Sequence, residues 1–275
     1  MLRFIVDREQ SLKEFTDNHY AQASFVWTYL LKNKEIKING KKTGANVLLQ
    51  AGDEVCYYLT PKQSEKPAFY VLYEDENILI ADKESGVNSE AVFAALRRER
   101  ECYFIHRLDR NTKGLLIFAL TEEAENRLLT AFRERAVEKR YAALCFGRFE
   151  RKSDLLTAYL KKDADRALVR IFDQSVSGSE KIVTEYSVVR ETEDVTELEV
   201  VLHTGKTHQI RAHLAHIGHP ILGDMKYGVS EQNKAKNANR QCLIAKSLRF
   251  QLSGKLSYLN ERIFLSRFTL NELFK

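Results

Sequence analysis

The 275-residue chain has little of what marks secreted, membrane or metal-scaffold proteins. Its four cysteines, Cys56, Cys102, Cys145 and Cys242, stand far apart with no CxxC pair, which argues against a disulfide framework and for a reducing compartment. No run approaches the roughly 20 apolar residues of a membrane span. The seven histidines form no HExxH motif. The first residues do not read as a signal peptide, so a cytoplasmic location is expected. Of only three prolines, Pro61 and Pro67 share the polar stretch TPKQSEKPA at 60–68. Such segments seldom lie inside a packed element, so 61–68 is expected to link a small domain at 1–60 to a large one at 69–275. There is no internal repeat or low-complexity tract. With 44% hydrophobic residues, the chain can bury one sizeable core and a smaller one. A net charge of +5 suits a polyanionic partner without requiring one.

In the small domain, residues 1–6 read as a strand. A first helix is expected near 11–20, and the i, i+4 pairs Phe25/Tyr29 and Val26/Leu30 predict a second over 24–33, with Ser24 as its N-cap. Residues 34–40 then alternate into the turn pair Asn39-Gly40. Around that corner gather Lys32, Lys34, Lys37, Lys41 and Lys42, which form either a solvated face or a set of phosphate contacts. Gly52-Asp53 introduces a strand over 54–59.

In the large domain, strands are expected at 70–73 and 78–81, then a helix over 89–100 that buries Val92, Phe93 and Leu96. A strand at 115–120 leads into a helix opened by Thr121 with Glu122 and Glu123 in its first turn. Further strands are expected at 139–146, 155–160, 167–172, 182–189, 196–202 and 242–250. Several of them alternate, and few helices separate them, which predicts an α+β fold with a mostly antiparallel mixed sheet flanked by helices. Residues 207–217 read as a helix stopped at Gly218, and 229–241 as a loop.

Two stretches carry the chemistry. HRLDRNTKGLLIFAL, at 106–120, sets Asp109 between Arg107 and Arg110, and nearby positive charge favours the ionised form of a carboxylate. The plain alternative is a surface turn whose charges pair with one another. HTGKTHQIRAHLAHIGHPILGDMKYG spans 203–228. Its His208, His213, His216 and His219 raise the possibility of a His-ligated metal hydrolase, although the only acid nearby is Asp224.

Together the two stretches resemble the RluA-type family of pseudouridine synthases, which carries HRLD-x-x-[TS]-x-G-LL and TG[RK]THQIR-x-HL…G-x-P-[IL]-x-GD-x-x-YG segments. The N-terminal helix, its "INGKK" turn and "GDEV" resemble the RNA-binding domain named after a ribosomal small-subunit protein, which implies phosphate contact by the five lysines. The family resemblance implies that Asp109 is the nucleophile, at sugar or base, and that Arg211 pairs with it through its guanidinium fork. It implies that Tyr141 stacks on the uracil and assists proton removal, and that Arg107 displaces the target base from its stack. Outside such a motif Arg211 is a surface helix residue, Tyr141 a core aromatic and Arg107 a phosphate contact. The implied enzyme needs no cofactor and no metal. It acts as a monomer on structured RNA, ribosomal first and transfer RNA second, with no membrane partner. The alternative within the same fold is a non-catalytic RNA-binding protein. Two positions depart from the family pattern: Glu84 replaces a proline, which loosens its loop, and Ile244 stands where a histidine is usual.

Overall fold

A computed structural model of the chain describes residues 1–163 and 168–272. The chain divides into two compact units, Met1–Arg110 with Leu116–Glu125, and Asn111–Leu115 with Asn126–Lys275.

The first unit opens with β1 (Leu2–Ile5), β2 (Gln10–Ser11), α1 (Leu12–His19), α2 (Ala21–Phe25), α3 (Trp27–Lys32), β3 (Ile36–Ile38), β4 (Lys41–Thr43), β5 (Leu48–Leu49) and β6 (Glu54–Tyr57). Four of these strands form a sheet in the order β1-β6-β3-β4, and β2 pairs with β5. α1 starts where the Ser11 hydroxyl accepts the Glu14 amide at 3.1 Å, an N-cap that satisfies a donor the helix itself leaves open. Asn39 and Gly40 take φ of 48° and 79°, the left-handed pair that matches the strand twist between β3 and β4. A core of Leu12, Phe15, Leu30, Ile36, Val55 and Tyr57 closes the module. Each such large side chain contributes about 1.5–3 kcal/mol by burial.

The single helix expected over 24–33 is two short ones, because Val26 leaves helical geometry at φ −103°. Ser24 is not an N-cap; it is buried within α2, and its hydroxyl donates to Asp17. The expected linker contains α4 (Pro61–Glu65), capped by Thr60 and Gln63 in a reciprocal capping box. Pro61 stands at its first position, where the amide has no partner within the helix and a proline costs no bond.

β7 (Phe69–Glu74), β8 (Ile78–Lys83), α5 (Ser89–Arg97) and β9 (Tyr103–Phe104) follow, with β9 paired to Phe118 and Ala119 of β10 (Lys113–Ala119). β8 is buried at all six positions, which explains its continuous apolar run. α1 and α2 pack on α5, and the Phe25 and Phe69 rings meet edge to face at 6.2 Å.

α6 (Glu122–Glu134) buries Ala124, Leu128 and Ala131, and the Thr121 hydroxyl caps it by accepting the Ala124 amide. The second unit continues with β11 (Val137–Phe146), β12 (Ser153–Asp163), β13 (Leu168–Phe172), β14 (Glu180–Glu191), β15 (Val195–Leu202), α7 (Gln209–His216), α8 (Ser230–Ala235), β16 (Leu243–Phe250) and β17 (Ile263–Leu265). Ala167, the expected start of β13, lies outside the described residues. The strand order is β13-β12-β14-β15-β11-β16, all antiparallel, and the start of β10 joins β16 in parallel. The mixed, mostly antiparallel sheet of an α+β fold is therefore present. Gly114, at φ +111°, is needed there, since a Cβ would lie 2.3 Å from the Ala245 carbonyl oxygen. Residues 229–241 are not simply a loop. α8 lies among them, and its lack of periodicity reflects that Asn233 is its one buried residue.

Candidate active site

Asp109 lies in the first unit on a turn whose backbone is fixed on both sides. Ser89, fully buried at the start of α5, grips the preceding residue twice: its hydroxyl accepts the Leu108 amide at 2.9 Å and donates to the Leu108 carbonyl at 3.1 Å. On the other side the Arg110 carbonyl accepts the Gly86 amide at 2.9 Å and the Lys83 ammonium at 3.1 Å. Lys83 is fully buried and also donates to the carbonyls of Glu84 and Val87, so the loop that Glu84 was expected to loosen is tied down by its neighbour. Burial pulls the Lys83 ammonium down to about 7, and Asp109 leads the nearby carboxylates that oppose the shift. His106 accepts the Ile117 amide at its Nε2 (3.2 Å), which ties the HRLD segment to β10. Arg107 points outward and pairs with Glu90 at 2.9 Å.

The second unit holds Tyr141 and Arg211. Tyr141 is buried on β11 at a bulge, opposite Val200 of β15 and Ala245 of β16. Arg211 is not a surface helix arginine, being 6% exposed on α7. Its Nε and Nη2 donate to the two oxygens of Asp224 at 2.7 and 2.9 Å, a bidentate pair. The Asp224 Oδ1 also accepts the amides of Lys226 and Tyr227 at 2.8 and 3.1 Å. Burial acts to raise the Asp224 carboxyl, but the Arg211 bonds and charge and the two amides outweigh it and leave it lowered. The Arg211 guanidinium lies over the Tyr227 ring at 5.2 Å, and the Tyr227 hydroxyl meets His208 Nδ1 at 2.8 Å.

Two further residues hold this group in place. Gln209, 2% exposed, accepts the Thr204 hydroxyl and the Lys206 amide and donates to the Val183 carbonyl and the Thr184 hydroxyl. It fastens the TGK loop and α7 to β14. Asn233 of α8 accepts the Gly223 amide at 2.8 Å and donates to the Asp224 carbonyl at 3.2 Å. Gly223, at φ +71°, has no room for a side chain, because a Cβ would lie 1.8 Å from the Arg240 carbonyl oxygen. Sequence reading passed over Ser89, Gln209 and Asn233, and noticed Asp224 only as an acid among histidines. The signal available for Asp224 was the GD pair in the second motif.

The four histidines of that motif bond to separate partners: His208 to Tyr227, His213 to Thr184, His216 to Asp173 and His219 to the Phe146 carbonyl. Of the N-terminal lysines, Lys32, Lys34, Lys41 and Lys42 are exposed, and Lys37 lies over the Tyr58 ring at 5.2 Å. Among the described residues no helix is long and apolar enough to cross a membrane.

The first unit thus carries an anchored aspartate turn, and the second a buried, oriented arginine and a buried tyrosine. The family model "RNA pseudouridylate synthase" matches residues 64–216, and the chain belongs to that family. Its activity is the isomerisation of uridine to pseudouridine in RNA. The chain is 30% identical over 225 residues to "Ribosomal large subunit pseudouridine synthase C" of Vibrio cholerae, covering 72% of this chain and 70% of that protein. It is 29% identical over 260 residues to an "Uncharacterized RNA pseudouridine synthase" of Chlorobaculum parvum, covering 80% of each. The fold is similar to that of "Human RNA Pseudouridylate Synthase Domain Containing 1", with a TM-score of 0.59, 23% identity, and 74% and 92% of the two chains covered.

Proposed function

We propose that the substrate is structured ribosomal RNA, with transfer RNA second, and that Asp109, Arg211 and Tyr141 carry out the isomerisation. The reaction breaks the bond between ribose C1′ and uracil N1, turns the base, joins C1′ to C5, removes the C5 proton and leaves a proton on N1. Asp109 is the nucleophile, at sugar or base. Arg211, its fork already held by Asp224, serves as the counter-ion of Asp109. Tyr141 supports the detached uracil and assists removal of the C5 proton. Arg107 exchanges Glu90 for the RNA and helps to displace the target nucleotide. The isomerisation changes no oxidation state, so no cofactor is required.

In this reading residues 1–60 are an RNA-binding module that makes phosphate contacts through Lys32, Lys34, Lys37, Lys41 and Lys42. Residues 61–68 join it to the catalytic domain at 69–275, and the enzyme works as a cytoplasmic monomer. The observation that carries the assignment of Asp109 is its turn, anchored through Leu108 and Arg110 by Ser89, Gly86 and Lys83. Such anchoring is what a reacting carboxylate needs and a solvated surface turn does not. Pseudouridine mapping of RNA from cells with and without the gene tests the proposal. Loss of sites in ribosomal RNA supports it, and unchanged maps overturn it.

A further inference from the structure

Lys139 stands two residues before Tyr141 on β11, roughly 7 Å along the strand. It is mostly buried, and burial lowers its ammonium below the ordinary lysine value. Buried cations are normally paired with a carboxylate or an acceptor. Lys139 has neither among the described residues, and its Nζ lies 5.1 Å from the centre of the Phe132 ring. The ammonium lies in a cleft of about 400 Å³ between the end of α6, the start of β11 and the TGK loop after β15.

The cleft is cationic. Arg133, Arg135, Lys139 and Lys206 line it together with His203. Lys206 is neutralised by Glu180, and His203 is bonded to Glu185 at 2.8 Å. Among the described residues Arg133 bonds the Thr130 hydroxyl, and neither it nor Arg135, held at φ +62° just past α6, has a carboxylate partner. The one acid in the lining, Glu138, is taken by Arg140 at 2.7 Å. Three cations therefore face a concave surface with no anion among the described residues to answer them.

We infer that this cleft binds the sugar-phosphate backbone of the substrate RNA next to the target nucleotide, with Lys139 as its innermost phosphate contact and Arg133 and Arg135 at its rim. The inference rests on the reading of Tyr141 as a uracil-contacting residue and gives that reading a strand direction. Backbone contacts of this kind fix register without reading sequence. Phosphate would supply Lys139 with the charge and acceptors that the protein does not.

The test is binding of the full chain to an unmodified transcript of large-subunit ribosomal RNA, titrated over a series of KCl concentrations. For contacts to single-stranded RNA, each lost phosphate contact lowers the slope of log K against log salt by about 0.7. R133Q/R135Q/K139Q is expected to lower it by about 2, and K139R alone to keep it. Should the triple variant fail to fold, R133Q/R135Q, altered only at exposed positions, is expected to lower the slope by about 1.4. An unchanged slope in a folded variant overturns the inference. The binding assay does not depend on turnover. If the unaltered protein forms no pseudouridine but the slope still falls, the catalytic reading fails and the cleft stands.

Discussion

Asp224→Asn is the most informative single change. The carboxylate is 1% exposed and accepts four bonds, two from Arg211 and two from the amides of Lys226 and Tyr227. Asparagine keeps the shape but offers one oxygen and an amide group that is a donor. If the oxygen stays with the two backbone amides, the new NH2 faces Arg211 Nε, donor against donor, and the buried guanidinium loses the Asp224 charge. Removing one partner of a buried pair costs about 3–5 kcal/mol. At about 2–4 °C per kcal/mol for a unit of this size, melting followed by circular dichroism is expected to fall by about 10 °C. Loosening Arg211 by about an ångström is expected to lower kcat/KM about 100-fold. The paired change R211M/D224L separates structure from chemistry. Replacing both ions with apolar groups recovers most of the stability, because such replacement is often neutral, while activity stays lost with the guanidinium. A D224N protein that melts within 2 °C of the unaltered chain, as judged against that roughly 10 °C expectation, and keeps its turnover refutes this role for Asp224.

Gly223→Ala adds a carbon where only 1.8 Å separates it from the Arg240 carbonyl oxygen, whereas Gly218→Ala, at a similar positive φ, meets nothing within 4 Å. Urea unfolding is expected to show about 1–2 kcal/mol lost at Gly218, the left-handed penalty alone, and clearly more at Gly223. His213 is buried and lowered to about 4, first by burial and then by His216. The unfolded histidine, near 6.5, binds its proton sooner, so the stability that neutral His213 confers is full above about 6.5 and drains away as pH falls towards 4. Between pH 7 and 5 the unaltered protein is expected to lose roughly 2 kcal/mol more than His213→Gln, measured by urea unfolding at each pH.

Much of the fold was legible because local pattern and tertiary role agree in it. The hairpin at Asn39-Gly40, the Thr121 cap and the alternation of β14 and β15 are all decided by neighbours in sequence. α8 has a single buried residue, so it shows no period, yet that residue clamps Gly223 and Asp224. The 24–33 segment carries a helical pattern but breaks at Val26, and the proline at 61 that reads as a breaker begins a helix. At the site, the motifs named Asp109, Arg211 and Tyr141, but not what holds them. Ser89 lies 19 residues from Leu108, Lys83 lies 27 from Arg110, and Asp224 lies 13 from Arg211. Separations of that kind leave no periodic trace.

The role of Asp109 is tested most directly with purified protein and an unmodified large-subunit ribosomal RNA transcript carrying tritium at uridine C5. Joining C1′ to C5 expels that hydrogen, so tritium released to water counts isomerisation events. The unaltered chain is expected to release tritium and Asp109→Asn to release none, although its melting curve stays in place. Equal release by the two proteins, or none by the unaltered chain, would contradict the assignment.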